Sequence, residues 1–495
     1  MGLPVSNASA EVNARWSCGL ACLTAATAAL WLALGDLQRL NHADSLIPTF
    51  ASLHRWTWFY WGQNRFGMLT ALLAMPIHHP LANLLFQNWI VSFCGLLVFP
   101  LVHAHLLGWR TAPISGALGA AVFLLASPEC FHLDYLLANQ PYAVSGCLGL
   151  LGLLAMEPES DNRQRIVIRR LVAGLLLFLA FWVNLAGVFI IAPLFILKLF
   201  FGGTPVDRRR KILSSGSTVI LATALANWVI TVGYPYHEDY GWTPPSAWLQ
   251  NSTALLHNVY QVISPAFLIC LLALACIGTA ARLFGGNQGK NHQYFRAGLI
   301  LVLSALFYLM LAAASAHVRQ GEFPYRYAIP SLVLLVAAAT IFASQAGARL
   351  SPRWRGSLVA ALMLGLMTGV TLRYGPPSFT HVRLLIDQKF GANTKVLRNN
   401  HCTHVLGDYW DVWETVFHAN LVNYESGSQQ VIWGITARSQ VTKDLWFPLL
   451  KGGRLAVLQT SKSDRDWQQE ALTYQLPELK PVAESNQIRV FSPVE

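Results

Sequence analysis

Asp44 is the residue of this chain best placed to do chemistry. It stands in Asn41-His-Ala-Asp44-Ser-Leu-Ile-Pro48, just after the first long apolar run. His42 lies two residues before it, and Asp36 is about two helical turns back. An aromatic, amide and arginine stretch follows, Trp56-Thr-Trp-Phe-Tyr-Trp-Gly-Gln-Asn-Arg65-Phe-Gly67. A carboxylate partly screened from water, where lipid meets water, can take a proton from a hydroxyl or bind a metal ion. The alternative is that Asp44-Ser-Leu-Ile47 starts an interfacial helix as its cap, with the aromatics as a membrane belt.

Three further groups carry reactive residue types. Ser127-Pro-Glu129-Cys-Phe-His-Leu-Asp134 puts two acids and a histidine in a very short segment between apolar runs. Glu129 and Asp134 could hold a divalent cation together with Asp44, or bind a sugar hydroxyl; otherwise this is a solvated loop with a turn at Pro128. His317-Val-Arg319-Gln-Gly-Glu-Phe-Pro-Tyr-Arg326-Tyr327 enters a late apolar run. A guanidinium fork matches phosphate oxygens in pairs, whereas a snorkelling arginine at the interface is the plainer reading. Tyr234-Pro-Tyr-His237-Glu-Asp-Tyr-Gly-Trp242 could stack on a sugar or serve as an aromatic belt. The sequence contains no Gly-x-Ser-x-Gly, P-loop, His-Glu-x-x-His or Cys-x-x-Cys motif.

The elements that must position these groups are membrane helices. Of 495 residues, 54% are hydrophobic and only 12% charged, which points to a polytopic membrane protein. Long apolar runs recur from residues 16–35 through 358–372, and a bilayer-crossing helix needs about 20 such residues. The net charge of +11 does not indicate nucleic acid, because the basic residues fall in short clusters between apolar runs, as cytoplasmic loops do. Six of the eight cysteines lie inside apolar runs as small core residues, and Cys130 with Cys402 is a weak disulfide signal. Run 16–35 lacks a small-residue cleavage site, so it reads as a first span rather than a signal peptide.

Basic clusters at 163–170, 208–211, 282–296 and 349–355, with Arg110 before them, face the cytoplasm by charge bias. Block 171–201 is flanked by two of them, so it reads as two short helices or a re-entrant hairpin with its vertex near Trp182-Val-Asn184; one long tilted helix is the alternative. The expected fold is mostly α: roughly eleven membrane segments over 1–372, N-terminus inside and C-terminus outside. A small extracytoplasmic α/β domain over 373–495 follows, with strands near 403–410, 430–435 and 455–459, helices at 413–421 and 463–474, and a hairpin at 482–494.

Taken together, Asp44 in the first external loop, the uneven spans, Arg326-Tyr327 opening a late span and the C-terminal α/β domain carrying Gly407-Asp-Tyr-Trp-Asp-Val-Trp413 resemble the GT-C superfamily of integral-membrane glycosyltransferases. The likeness covers nearly the whole chain through short motifs. It implies sugar transfer from a polyprenyl-phosphate-linked donor to a glycan, lipid or protein acceptor, at the outer face of a bacterial inner membrane. It implies that Asp44 is the catalytic carboxylate and that Arg326 meets the lipid phosphate. Arg319, Arg65, Tyr327 and His317 are the accompanying substrate-binding candidates, and Glu129, Asp134, Asp36 and His42 the secondary ones. The superfamily often carries two acids in this loop near an Asp-x-Asp arrangement, whereas this chain has His42-Ala-Asp44. No cofactor is required by this reading, and a divalent cation stays open. The rival classes are a transporter or flippase, and a polymerase or ligase of lipid-linked sugars; the first would carry repeat-related spans with midplane charges, the second a large late external loop.

Overall fold

The computed structural model describes residues 6–61, 66–138, 141–157, 163–201, 215–233, 241–283, 288–436, 453–458, 479–485 and 488–493. The chain divides into two compact units. One holds 1–32, 89–136 and 140–376; the other holds 33–88, 137–139 and 377–495.

The first unit is helical. Among the described residues of the whole chain, seven helices are long and apolar enough to cross a membrane, including Pro80–Leu107, Gln164–Val183, His292–Ala314 and Tyr325–Gly347. Four shorter apolar helices accompany them: Ala112–Ala126, Tyr142–Ala155, Leu185–Phe201 and Ser217–Val232. Length, composition and fold make this an integral membrane protein. Close packing rests on small residues, as expected where lipid leaves no hydrophobic drive between helices. Phe342 is seated between Gly278 and Gly298, and a Cβ at Gly278 would lie 2.6 Å from that of Phe342.

Block 171–201 breaks where the sequence indicated. Helix Arg163–Val183 ends, Asn184 turns extended, and its side chain accepts from the Ala186 amide at 3.0 Å. A single turn, Leu185–Gly187, leads into helix Val188–Phe201. The break excludes one continuous helix. The expectation of two short arms is corrected on one side: the first arm extends back over the basic residues from Arg163, so its 21 residues make a full-length span. The first arm packs mainly on Tyr142–Ala155 and Ser217–Gly233 and the second mainly on Gln288–Ala314, while Ile191 of the second also lies against Gly149 of Tyr142–Ala155.

The second unit is α/β and combines two distant stretches of chain. β1 (Cys402–Gly407), β2 (Trp433–Thr436), β3 (Arg454–Leu458), β4 (Leu479–Ser485) and β5 (Ile488–Pro493) form one mixed sheet in the order β2-β1-β3-β5-β4. β1 runs parallel to β2 and β3, while β5 runs antiparallel to β3 and β4. Helix Tyr409–Glu425 connects β1 to β2. Gly407 makes the sharp exit from β1 at φ +157°, where a Cβ would meet that of Leu458 at 3.0 Å, and Asp408 then caps the helix by accepting from the Trp410 amide at 3.0 Å. The helix expected over 413–421 is thus longer at both ends, and that expected over 463–474 lies outside the described residues.

One hydrophobic core joins these strands to the first loop. Phe50, Trp61 and Leu84 pack with Trp413, Phe417 and Val405. The Phe50 ring lies 5.6 Å from that of Trp413, which is fully buried. An aromatic side chain of this kind contributes about 3–5 kcal/mol against its alanine variant. The segment after the first span therefore folds with the C-terminal strands rather than standing alone as a loop.

Candidate functional site

Helix Ala43–Leu53 presents Asp44, and its start is built by neighbours. His42 is the N-cap: its Nδ1 accepts from the Asp44 amide at 3.2 Å, and its own amide donates to Ser45 Oγ at 3.0 Å. The capping role therefore belongs to His42 and Ser45, which leaves the Asp44 carboxylate for another purpose. Trp410 packs edge-on against the His42 ring, centroids 5.0 Å apart. Upstream, three fully buried amides set the approach: Asn88 Nδ2 donates to Gln38 Oε1 at 2.8 Å and to Asn41 Oδ1 at 3.1 Å. Lys389 donates to the carbonyls of Arg39 and Asn41.

Asp44 is 7% exposed. Its Oδ1 accepts from the Tyr409 hydroxyl at 2.5 Å and from the Tyr60 hydroxyl at 3.2 Å, and the two hydroxyl oxygens lie 2.9 Å apart. Two hydroxyl protons serve three short contacts. The shorter pair of distances fits a relay in which Tyr60 donates to Tyr409 and Tyr409 donates to Asp44. A carboxylate so fixed, in the first turn of a helix whose dipole favours negative charge, keeps a defined direction for taking a proton. Tyr60 is held in turn by pairing of Phe59 with Gly67 and by the Trp56 indole donating to Met68 O at 2.9 Å. Asp36 is engaged elsewhere, at 2.5 Å from His381 Nε2.

In the helical unit, two segments that are far apart in sequence converge. Asp134, on helix Glu129–Leu136, is buried and meets Tyr325, which also contacts Cys130. The Phe131 and Tyr325 rings lie 5.9 Å apart. The same turn carries Arg326, whose guanidinium stands 5.3 Å from the Tyr327 ring centre, and His317 Nε2 is 3.0 Å from the Tyr327 hydroxyl. Arg319 is exposed on the preceding helix Ala316–Gln320, and Glu129 opens its own helix.

The turn before Tyr325 is strained. Glu322 and Phe323 both adopt left-handed backbone, at φ 59° and 55°. Each such residue costs about 1–2 kcal/mol. Asn258 holds the turn by donating to both of their carbonyls at 3.0 Å. Strain retained by specific bonds is characteristic of functional sites. In the same unit, Arg373 donates to Leu124 O at 2.8 Å and Ser127 O at 3.0 Å, and His132 bonds Ser127 Oγ at 2.8 Å, fixing the start of the acidic helix.

Arg65 lies outside the described residues, as does the 234–240 stretch with His237. Among the described residues no group of three or more His, Cys, Asp and Glu side chains is placed to hold a metal ion. Tyr60 and Tyr409 are the residues that sequence reasoning did not assign to the site, although both stand in the aromatic motifs around it.

No protein-family model matches the chain, and no curated protein does. Among solved structures, ArnT from Cupriavidus metallidurans in the apo state aligns over 95% of this chain and 96% of its own, with TM-score 0.51 and 12% sequence identity. The chain has the fold of ArnT. The likeness in fold covers nearly the whole chain. ArnT bound to undecaprenyl phosphate aligns over 98% of both chains, with TM-score 0.48 and 12% identity.

Proposed function

We propose that the chain is a membrane glycosyltransferase that moves a sugar from a polyprenyl-phosphate-linked donor to an extracytoplasmic glycan, lipid or protein acceptor. The observation that carries this reading is the buried Asp44 carboxylate held by two tyrosine hydroxyls. In the reaction, Asp44 takes the proton of the acceptor hydroxyl, whose oxygen attacks the anomeric carbon. The bond from that carbon to the donor's phosphate oxygen breaks, and the lipid phosphate leaves with the electron pair. Tyr60 and Tyr409 orient the base. Arg326 stabilises the departing phosphate, with Tyr327, His317, Arg319 and Arg65 as neighbouring binding groups and Glu129, Asp134, Asp36 and His42 as secondary ones.

In membrane terms, the proposal places spans within 1–372 and an extracytoplasmic segment over 373–495, the four shorter apolar helices being counted with the seven longer ones. The Asp44–Tyr409 hydrogen bond supports a shared side for first loop and tail. The basic clusters support a cytoplasmic face opposite, as in a bacterial inner membrane. The strained Glu322-Phe323 turn supports a ligand role for Arg326.

Asp44→Asn tests the reading, because it keeps shape and removes the charge. Transfer in reconstituted membranes should fall about 10²–10⁴-fold, the usual value of a general base. A folded Asp44→Asn protein that transfers sugar at near wild-type rate refutes the assignment and favours the flippase reading.

A further inference from the structure

The C-terminal segment contains a cavity of about 650 Å³ that neither the sequence motifs nor the proposed reaction uses. This volume is typical of small-ligand sites. Lys395, Arg398 and Asn399 reach it from helix Thr394–Asn399, His401 from the turn that follows, and Ser428 and Gln430 from the approach to β2. Thr394 and His418 line its inner wall, with Gly391 beside the imidazole, where a Cβ would lie 3.2 Å from the ring.

The charge balance of the cavity is uneven. Among the described residues Lys395 has no hydrogen-bond or ion-pair partner, and Arg398 bonds only the Ser426 hydroxyl, at 3.1 Å. The nearby carboxylates are already engaged. Glu425 takes Arg383 in a two-pronged pair at 2.6 and 2.7 Å, and Asp387 is bonded by Arg383 and by His418 Nε2 at 2.6 Å. Burial holds His418 below its ordinary imidazole value against the pull of Asp387, so the inner wall is neutral while Thr394 Oγ1 lies 2.7 Å from Nδ1. His401, at φ 52°, adds a left-handed backbone that a non-glycine residue rarely adopts. Two cations without carboxylates, backed by a neutral hydroxyl–imidazole wall and flanked by amide and hydroxyl groups, form a site for a dianion on a polar scaffold.

We propose that this cavity binds a phosphate monoester carried on a sugar-sized polar scaffold. The guanidinium and ammonium of Arg398 and Lys395 take the phosphate, and Asn399, Ser428 and Gln430 face the hydroxyl groups. The site stands apart from the Asp44 chemistry and does not depend on it.

The test is binding to the full-length protein in nanodiscs, with glucose 6-phosphate, inorganic phosphate and glucose as probes, read by phosphorus NMR line broadening and calorimetry. Glucose 6-phosphate should bind more tightly than glucose, and its affinity should fall with added salt. Arg398→Gln should weaken it at least about tenfold, the usual loss for one charge-assisted contact, and Lys395→Glu should abolish it. Both changes are at exposed positions, and unchanged thermal unfolding will show that the fold is kept. Nanodiscs with phosphatidic acid separate the two phosphate sources. Displacement of glucose 6-phosphate by that lipid upholds the site with a headgroup as its ligand; no displacement upholds it with a soluble ligand. Absence of binding to the wild-type protein, or equal affinities in wild type and Lys395→Glu, overturns the proposal. An active Asp44→Asn enzyme would refute the transferase reading and leave this binding result untouched.

Discussion

Tyr409→Phe isolates the Asp44 relay with the least disturbance to the core. The substitution removes one oxygen atom and keeps the ring, which packs at 5.0 Å from Trp410. It deletes the 2.5 Å hydrogen bond to Asp44 Oδ1 and the 2.9 Å contact with Tyr60. A hydrogen bond to a charged group contributes about 1.5–3 kcal/mol, equivalent to about 10-fold to about 150-fold in rate if the whole loss appears in the transition state. The Tyr60 hydroxyl, already 3.2 Å from the same oxygen, can turn to Asp44 and recover part of it, so the expected fall in kcat/KM is near the lower figure. Tyr60→Phe leaves the stronger bond intact and should cost less. The double variant should cost more than the two single losses combined, because neither hydroxyl can then substitute for the other. The assay is transfer of labelled sugar from a polyprenyl-phosphate donor, with thermal unfolding measured on the same preparations. If Tyr409→Phe lowers the unfolding temperature while kcat/KM stays within about twofold, well inside the loss expected for a positioning bond, the relay serves only the fold and the reasoning fails.

Arg326→Lys keeps charge but loses the planar fork over Tyr327, so under the proposed role the KM for donor should rise; equal donor affinity in Arg326→Lys, Arg326→Ala and wild type would refute the proposed phosphate contact. Burial pushes Glu414 up to about 7, against the pull of Lys389 at 3.6 Å. Its folded value lies above its unfolded one, so its stability contribution is complete below the ordinary carboxylate range and is lost as pH rises through about 7. Glu414→Gln should therefore leave unfolding unchanged near pH 4 and stabilise the protein near pH 8, by no more than about 3 kcal/mol, as pH-dependent melting will show. Glu322→Gly relieves a left-handed residue and should raise stability by up to about 1 kcal/mol in denaturant titration; a loss of stability would show that the Glu322 side chain itself holds the turn.

Local physics made much of this chain legible from its residues alone. Hydropathy over about 20 residues is a property of contiguous sequence, so the apolar runs could be read as helices without knowing their neighbours. The break at Asn184 was equally local, since its side chain caps the turn that follows within two residues. The alternation and turn residues around Gly407 and Asp408 marked β1 and the helix after it. Asp44 itself stood out by chemistry and by its place beside a span. What surrounds Asp44 was decided only in three dimensions. Tyr409 lies 365 residues away and Asn88 meets Asn41 across 47, and neither separation leaves a periodic trace in the sequence. The same holds for Tyr325 beside Asp134 and for the extension of the first arm of 171–201 into a full span. Even the choice of His42 over Asp44 as cap followed from tertiary contacts: two tyrosine hydroxyls claim the carboxylate, and a buried charge is retained only where such donors meet it.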